Sequence, residues 1–442
     1  MNSGNYQVDP LLKSAIDKAI KKIMPLVMLM YLINYIDRVN IGFAAASMNV
    51  DLGLSTAAYG LGAGLFFAGY VLFEVPSNII LHKVGARIWL ARIMITWGII
   101  SASMSFVHSE MGFYIVRVLL GIAEAGFVPG VIYLLSIWFP NKVRARMVAL
   151  FIIAIPFSVV IGAPISALIL EYGNGLFGLS GWRVMFFIEA LPAVLIGIYA
   201  LVYLPSHPNK ASWLTLEERT CLEATLNKEQ NNALTHGSSA AFAALKDWRV
   251  YAIASIAFSV NMGGYALSFF LPQVIESFSR DMGVEFSLIQ IALLTAIPFS
   301  AAVVAVWFVG KSSDRHNERL LHAAIPLLTG AFAIAIALYL PGTTYKMIAI
   351  SIAAAGSYCV IPIFWQLPTK FLTGSAAAAG IGLIGGLANI AGFIAPYITG
   401  VIQTNTGSYK PAMFVVAGVM IMGACVALAL RLRPELSNKT QP

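Results

Sequence analysis

An aspartate and an arginine stand side by side inside the first long apolar run of the chain, Asn34-Tyr35-Ile36-Asp37-Arg38-Val39-Asn40. Ionisable groups at bilayer depth are costly and normally face a protein interior or a water-filled path, so they mark function by default. On a helix advancing about 100° per residue, Tyr31, Asn34, Tyr35 and Arg38 fall on one polar stripe, with Asp37 beside it. In the fourth apolar run Arg117 and Glu124 are seven residues apart, about 20° from a common face, with Gly121 between them. The adjacency of each acid and base suggests two relays, Asp37 with Arg38 and Glu124 with Arg117. An organic anion that engages Arg38 competes with the neighbouring acid for the guanidinium, and a carboxylate that loses its cation is free to take a proton. Arginine rather than lysine suits a planar, two-pronged partner such as a carboxylate. The bland alternative is that each arginine only neutralises its neighbouring acid inside a packed bundle. Glu74 and Glu189 complete the set of carboxylates inside apolar runs. Both lie near run ends, where structure or gating is the expected role.

The elements that must position these residues are membrane spans. With 59% hydrophobic and 11% charged residues over 442, the chain has too little polar surface to cover a soluble globule. Helices of about 20 apolar residues are the only open-ended structures lipid permits. Twelve such runs fit, the first from Ile23 to Ser47, the tenth from Met347 to Trp365 and the eleventh from Leu372 to Gln403. All four carboxylates within them belong to the first six. A net charge of +8 does not signal nucleic acid, because the 28 Lys and Arg are mostly in alternate connections: Lys13, Lys18 and Lys21; Lys83 and Arg87; Lys142, Arg144 and Arg146; Lys311, Arg315 and Arg319. That bias places both termini of a multi-pass membrane protein in the cytoplasm. Before Met24 the chain is polar, with an amphipathic stretch from Leu11 to Ile23 and no cleavage signal. The three cysteines imply no external disulfide. The six histidines lack metal-ligand spacing, so no cofactor, no metal and no enzyme activity are expected.

The longest polar stretch, Pro205 to Asp247, divides the chain. The expected organisation is a cytoplasmic segment at 1–22, a six-helix bundle at 23–204, a cytoplasmic linker at 205–247, a second six-helix bundle at 248–431 and a cytoplasmic tail at 432–442. Thr215 and Glu218 have capping-box spacing, which predicts a short linker helix from about Leu216 to Asn227. The halves echo one another. Gly310-Lys311-Ser312-Ser313-Asp314-Arg315-His316-Asn317-Glu318-Arg319 sits where the first half has Asn78-Ile79-Ile80-Leu81-His82-Lys83-Val84-Gly85-Ala86-Arg87, as an internal duplication requires.

The second of those turns carries the Gly-x-x-x-Asp-Arg-x-x-x-Arg pattern of the major facilitator superfamily in full, which the first does not. Together with the Tyr35-to-Gly42 run, Phe73-Glu74-Val75-Pro76-Ser77-Asn78, Arg117 through Gly130, Trp138-Phe139-Pro140 and Arg144-Ala145-Arg146, it makes the whole chain resemble the anion:cation symporters of that superfamily. The likeness is to the branch with tartrate, phthalate, rhamnonate and hydroxyphenylacetate permeases. It implies an all-α membrane protein of twelve spans in two pseudo-symmetric six-helix bundles, a monomer that carries an organic acid anion with protons by alternating access. It also implies that Tyr35, Arg38, Tyr70 and Trp365 line the substrate site and that Asp37 and Glu124 take the coupling protons. Asn34 adds a polar group to the stripe, and Arg117 belongs with the proton relay. Gly310, Asp314, Arg315 and Arg319 form the conformational motif. Relatives place an amide on the fifth span where this chain has Ile155-Pro156, and often Asn on the eleventh where it has Gly385; Asn389, one turn on, is the substitute. Fewer polar partners point to an aromatic or short dicarboxylic acid. The rival is an organic anion exchanger, which needs paired arginines in both halves.

Overall fold

The computed structural model describes residues 9–234, 245–283, 285–368, 371–372 and 374–433. The start of the N-terminal segment, the Gly237-Ser238-Ser239 part of the linker, Lys370 and most of the tail lie outside the described residues. Among the described residues, twelve helices are long and apolar enough to cross a bilayer: span 1 (Pro10–Leu52), span 2 (Thr56–Val84), span 3 (Ala86–Phe106), span 4 (Glu110–Trp138), span 5 (Arg146–Tyr172), span 6 (Gly181–Tyr203), span 7 (Trp248–Phe278), span 8 (Leu288–Arg315), span 9 (Leu320–Ala337), span 10 (Gly342–Phe364), span 11 (Ala379–Thr406) and span 12 (Lys410–Arg431). Span 1 begins earlier than its apolar run because the amphipathic stretch before Met24 joins it in one helix, Pro10–Val39.

Local chemistry sets the ends. Ser55 accepts from the Ala58 amide and Ser109 from the Gly112 amide, satisfying helix-start donors. Ser287 and Gln290 form a capping box before span 8. Span 4 breaks after Glu124, into Glu110–Glu124 and Phe127–Trp138. The break sits at Gly126, whose φ of 87° favours glycine. Ser77 of span 2 donates to the Ala125 carbonyl at 2.6 Å, meeting a group the break would otherwise orphan.

The linker helix, Leu216–Leu234, runs past its expected end and takes in Glu229-Gln230-Asn231-Asn232. The Thr215–Glu218 capping box forms in both directions. Glu218 also accepts from Ser14 and pairs with Lys18 at 2.7 Å, docking the linker helix on the start of span 1. Those bonds, the Lys18 contact first, hold the Glu218 carboxyl down at about 2.

Define the terminal face as the side with residues 10 and 431, and the distal face as the other. Across the distal side the halves are in close contact. Span 2 packs on span 11 and span 5 on span 8, and the outer part of span 1 packs on span 7. A side-chain carbon at Gly60 or Gly64 would run into the backbone carbonyls of Pro396 or Phe393, so these glycines let two helix backbones touch. Tyr59 donates to the Phe269 carbonyl at 2.9 Å, and the Ala57 amide to Thr404 at 2.9 Å. Toward the terminal face, Gly382 and Gly386 of span 11 meet open space.

Candidate functional site

Arg38, 5% exposed, sits in mid-span inside a shell of rings: Tyr35, Phe66, Phe67 and Tyr70 have their centroids 5.2 to 5.9 Å from the guanidinium carbon. Its ion-pair partner is Glu124 of span 4, itself buried. The break at Gly126 begins just beyond Glu124, so the carboxylate ends a helix half rather than lying within a continuous turn. Electrostatic attraction is strong in such a dry site, and the rings add cation–π contacts. Tyr31 stacks on Phe151 at 4.1 Å and meets Tyr35 edge-on, which fixes the stripe of span 1. Asn34 is fully buried, and neither its amide nitrogen nor its oxygen has a protein partner.

The pairing differs from the expected one. Asp37 does not bind Arg38; its carboxylate accepts from the Trp97 indole, from Ser101 at 3.0 Å and from Asn40 at 3.3 Å. On a helix, neighbours in sequence point about 100° apart, so Asp37 turns toward span 3 while Arg38 turns toward spans 2 and 4. Arg117 does not pair with Glu124 either. It donates to the Gly62 and Ala63 carbonyls of span 2 at 3.3 and 3.4 Å and lies over Phe66. Gly121, between Arg117 and Glu124 on the same face, packs against the Phe66 carbonyl so tightly that spans 2 and 4 meet backbone to backbone. That approach puts span 2 carbonyls within reach of Arg117.

Tyr70 is in the Arg38 shell as expected. Trp365 and Asn389 are not: Trp365 packs on Gly385 of span 11, and Asn389 is one turn further along, next to Ala388, whose carbonyl accepts from Asn261 at 3.0 Å. The conformational motif pairs internally, Asp314 with Arg319 at 2.7 Å and Arg319 with Ser313, while Glu318 reaches Arg431 at the end of span 12 at 3.7 Å. Gly310 has open space around it. In the first-half counterpart, His82 meets Tyr133 edge-on at 4.4 Å.

Sequence reasoning passed over several neighbours of these groups. Trp97 and Ser101 are four apart on span 3, so they share a face, and both donate to Asp37. Asn40, three residues after Asp37, also donates to Glu189 at 2.9 Å, and Glu189 accepts from Ser166 of span 5 at 2.6 Å. The i, i+3 spacing of Asp37 and Asn40 was the available signal. Tyr265 and Phe269 of span 7 complete the aromatic shell by packing on Phe67. A cavity of about 470 Å³ lies elsewhere, between spans 8 and 10, and is lined by Leu294, Ile297, Met347, Ile348 and Ile352 among others. It has no charged group to hold an anion.

A family model described as Major Facilitator Superfamily matches residues 27–396. The chain is 46% identical over 409 residues to an Agrobacterium vitis protein named "Putative tartrate transporter", covering 92% of this chain and 89% of that one. It is 37% identical over 429 residues to the inner membrane transport protein RhmT of Escherichia coli, covering 97% and 98%. Among solved structures, a bacterial homolog of the human lysosomal transporter Spinster, inward-facing and occupied, superposes with a TM-score of 0.75 at 17% identity, covering 95% of this chain and 99% of that one.

Proposed function

The chain belongs to the Major Facilitator Superfamily and is a transporter rather than an enzyme, and from that premise we propose that it takes up an organic acid anion together with protons by alternating access. The observation that carries this reading is the buried Arg38–Glu124 pair. A substrate carboxylate and Glu124 want the same guanidinium, whose planar fork suits either. When Glu124 takes a proton, Arg38 is released to the substrate; when the substrate leaves, Glu124 returns its proton and re-forms the pair. The two ligands are thereby linked through one cation, and each favours the other's binding. Asp37 is the second proton group, and Arg117, held by span 2 carbonyls, keeps span 4 and so Glu124 in place.

The substrate class comes from the relatives' names and from the lining. Arg38 supplies the anion's partner, Asn34 offers an unpartnered amide, and the rings of Tyr35, Phe66, Phe67 and Tyr70 supply flat apolar surface. That suits an aromatic or short dicarboxylic acid better than a hydroxyl-rich one. Trp365 and Asn389 join the site from the second half when the bundles close on the terminal side. Both termini lie in the cytoplasm of a bacterial inner membrane, a reading supported by the basic bias of alternate connections and by the bacterial relatives, so the contacts that seal the distal side close the outside. The Asp314–Arg319 turn stiffens the cytoplasmic end of spans 8 and 9 as the halves rock. Proton entry down the membrane potential yields about 2.3 kcal/mol per charge per 100 mV, which drives a monoanion if more than one proton accompanies it.

Proteoliposome uptake tests this with a panel of tartrate, phthalate, hydroxyphenylacetate and sugar acids, with and without an inward pH gradient. Accumulation of a panel acid above its external concentration only under the gradient supports symport. Exchange of internal for external acid with no response to the gradient would replace it by an anion exchanger.

A further inference from the structure

We propose that Asp37 and Glu189, joined through Asn40, form a second proton-binding site on the distal side of the Arg38–Glu124 pair. The inference rests on the proton-coupled reading and adds to it a carboxylate on span 6. Four observations carry it. First, both side chains are buried, at 2% and 7% exposure, and among the described residues neither makes an ion pair. A buried carboxylate lacking a counter-ion neutralises itself by taking a proton.

Second, one amide bridges the two acids. The Asn40 nitrogen donates to Asp37 at 3.3 Å and to Glu189 at 2.9 Å, while the Asn40 oxygen, in a side chain with no exposed surface, has no protein donor. If the amide turns over, that oxygen takes the bridging position and accepts the O–H of whichever carboxyl group has gained a proton.

Third, each acid also keeps a serine hydroxyl as partner, Ser101 for Asp37 at 3.0 Å and Ser166 for Glu189 at 2.6 Å. A hydroxyl donates to a carboxylate and accepts from a carboxylic acid by rotating its hydrogen. Both protonation states therefore stay hydrogen-bonded without moving a helix, which an arginine partner does not permit.

Fourth, the group lies in depth between the distal face and Arg38. Glu189 is eight residues from the distal start of span 6 and Ser166 six from the distal end of span 5, roughly 9 to 12 Å of helix at 1.5 Å per residue, while Asp37 is next in sequence to Arg38. The groups facing the pair are Asn40 from span 1, Trp97 and Ser101 from span 3, Ser166 from span 5, and from span 4 the charged Arg117 on the Asp37 side. In the loading step a hydronium ion on the distal side gives its proton to a carboxylate oxygen of Glu189 or Asp37. One O–H bond forms, one water is released, and the pair's charge rises by one.

The test uses only protons as ligand. Infrared difference spectra of the full chain in lipid, recorded between acidic and alkaline buffer, show the carbonyl stretch of each carboxyl group that takes up a proton. Glu189→Gln keeps the size and hydrogen-bonding reach of the side chain, so a purely structural Glu189 leaves the spectrum as in the wild type. The expected result is loss of one carboxylic-acid band in Glu189→Gln and displacement of the band that Asp37→Asn removes. A Glu189→Gln spectrum superimposable on the wild type overturns the inference. If Glu189→Gln does not fold, Ser166→Ala serves instead: it removes only the hydroxyl partner and is expected to shift the Glu189 band, whereas an unshifted spectrum overturns the inference. Wild-type uptake indifferent to a pH gradient would sink the symport reading while leaving these bands intact, so the two failures are separable.

Discussion

Replacing Glu124 by Gln removes the anion that competes with substrate for Arg38 while keeping the side chain's shape. Arg38 then sits buried without an anionic partner, supported by its ring shell. A contact pair of unit charges is worth about 4 kcal/mol at an effective dielectric near 20, and a substrate carboxylate meeting the free guanidinium regains part of it. Taking roughly half as recovered, after the cation–π contacts and desolvation of the substrate are discounted, gives about 2 kcal/mol, a roughly thirtyfold tighter anion site. Calorimetric titration of the purified variant with tartrate, or with whichever panel acid the wild type takes up, is expected to show that gain at alkaline pH. It should also show a weaker dependence of binding on pH, with only the Asp37 contribution left. In proteoliposomes the variant is expected to retain counterflow and to lose accumulation driven by a pH gradient. Binding equal to or weaker than the wild type's in a folded Glu124→Gln protein, with accumulation intact, would refute the competition on which coupling is built.

Arg38→Lys keeps the charge and loses the planar fork; at a site that recognises carboxylate by two parallel bonds we expect at least tenfold weaker substrate binding, read from uptake KM. Gly60→Leu puts a branched side chain against the Pro396 carbonyl of span 11; the distal seal cannot then close, and uptake should fall at least tenfold while the protein remains folded, with cysteine labelling at the distal ends of spans 2 and 11 increased. Glu218, held at about 2 against an ordinary 4.5, contributes docking of the linker helix on Lys18 and Ser14 that is complete above about pH 4.5 and is lost as pH falls toward 2. Hydrogen exchange across Leu216–Leu234 should quicken over that window, and Glu218→Gln should show the fast exchange already at neutral pH; slow exchange in Glu218→Gln would contradict the docking role.

The architecture was legible because lipid leaves few choices: an apolar run of sufficient length is a helix, although the serines that cap the ends, Ser55, Ser109 and Ser287, emerged only from the structure. The identities of the charged residues inside the spans were equally plain. Their pairings were not. Adjacency along the chain suggested Asp37 with Arg38, but side chains one residue apart diverge around a helix, and the partner of Arg38 comes from span 4. The turn spacing of Arg117 and Glu124 put them on one face, yet the close approach of Gly121 to span 2 drew Arg117 to backbone carbonyls instead. Glu189 seemed peripheral because its depth was read from its place in span 6; its bond to Asn40 depends on how spans 1, 5 and 6 pack, which periodicity does not reveal. Asn389 lies on span 11 as read, whereas Trp365 falls just past the end of span 10, where the helix stops at Phe364, and neither enters the Arg38 shell.

Among the described residues, every Asp, Glu, Lys or Arg buried within the spans belongs to the first six helices, and the second six offer rings, amides and carbonyls. Under the symport reading proposed above, energy conversion is written in one half of the gene, and the other half adds rings and amides to the cargo's fit. A lineage can exchange residues on spans 7, 10 and 11 to accept a new nutrient while inheriting its power source unchanged.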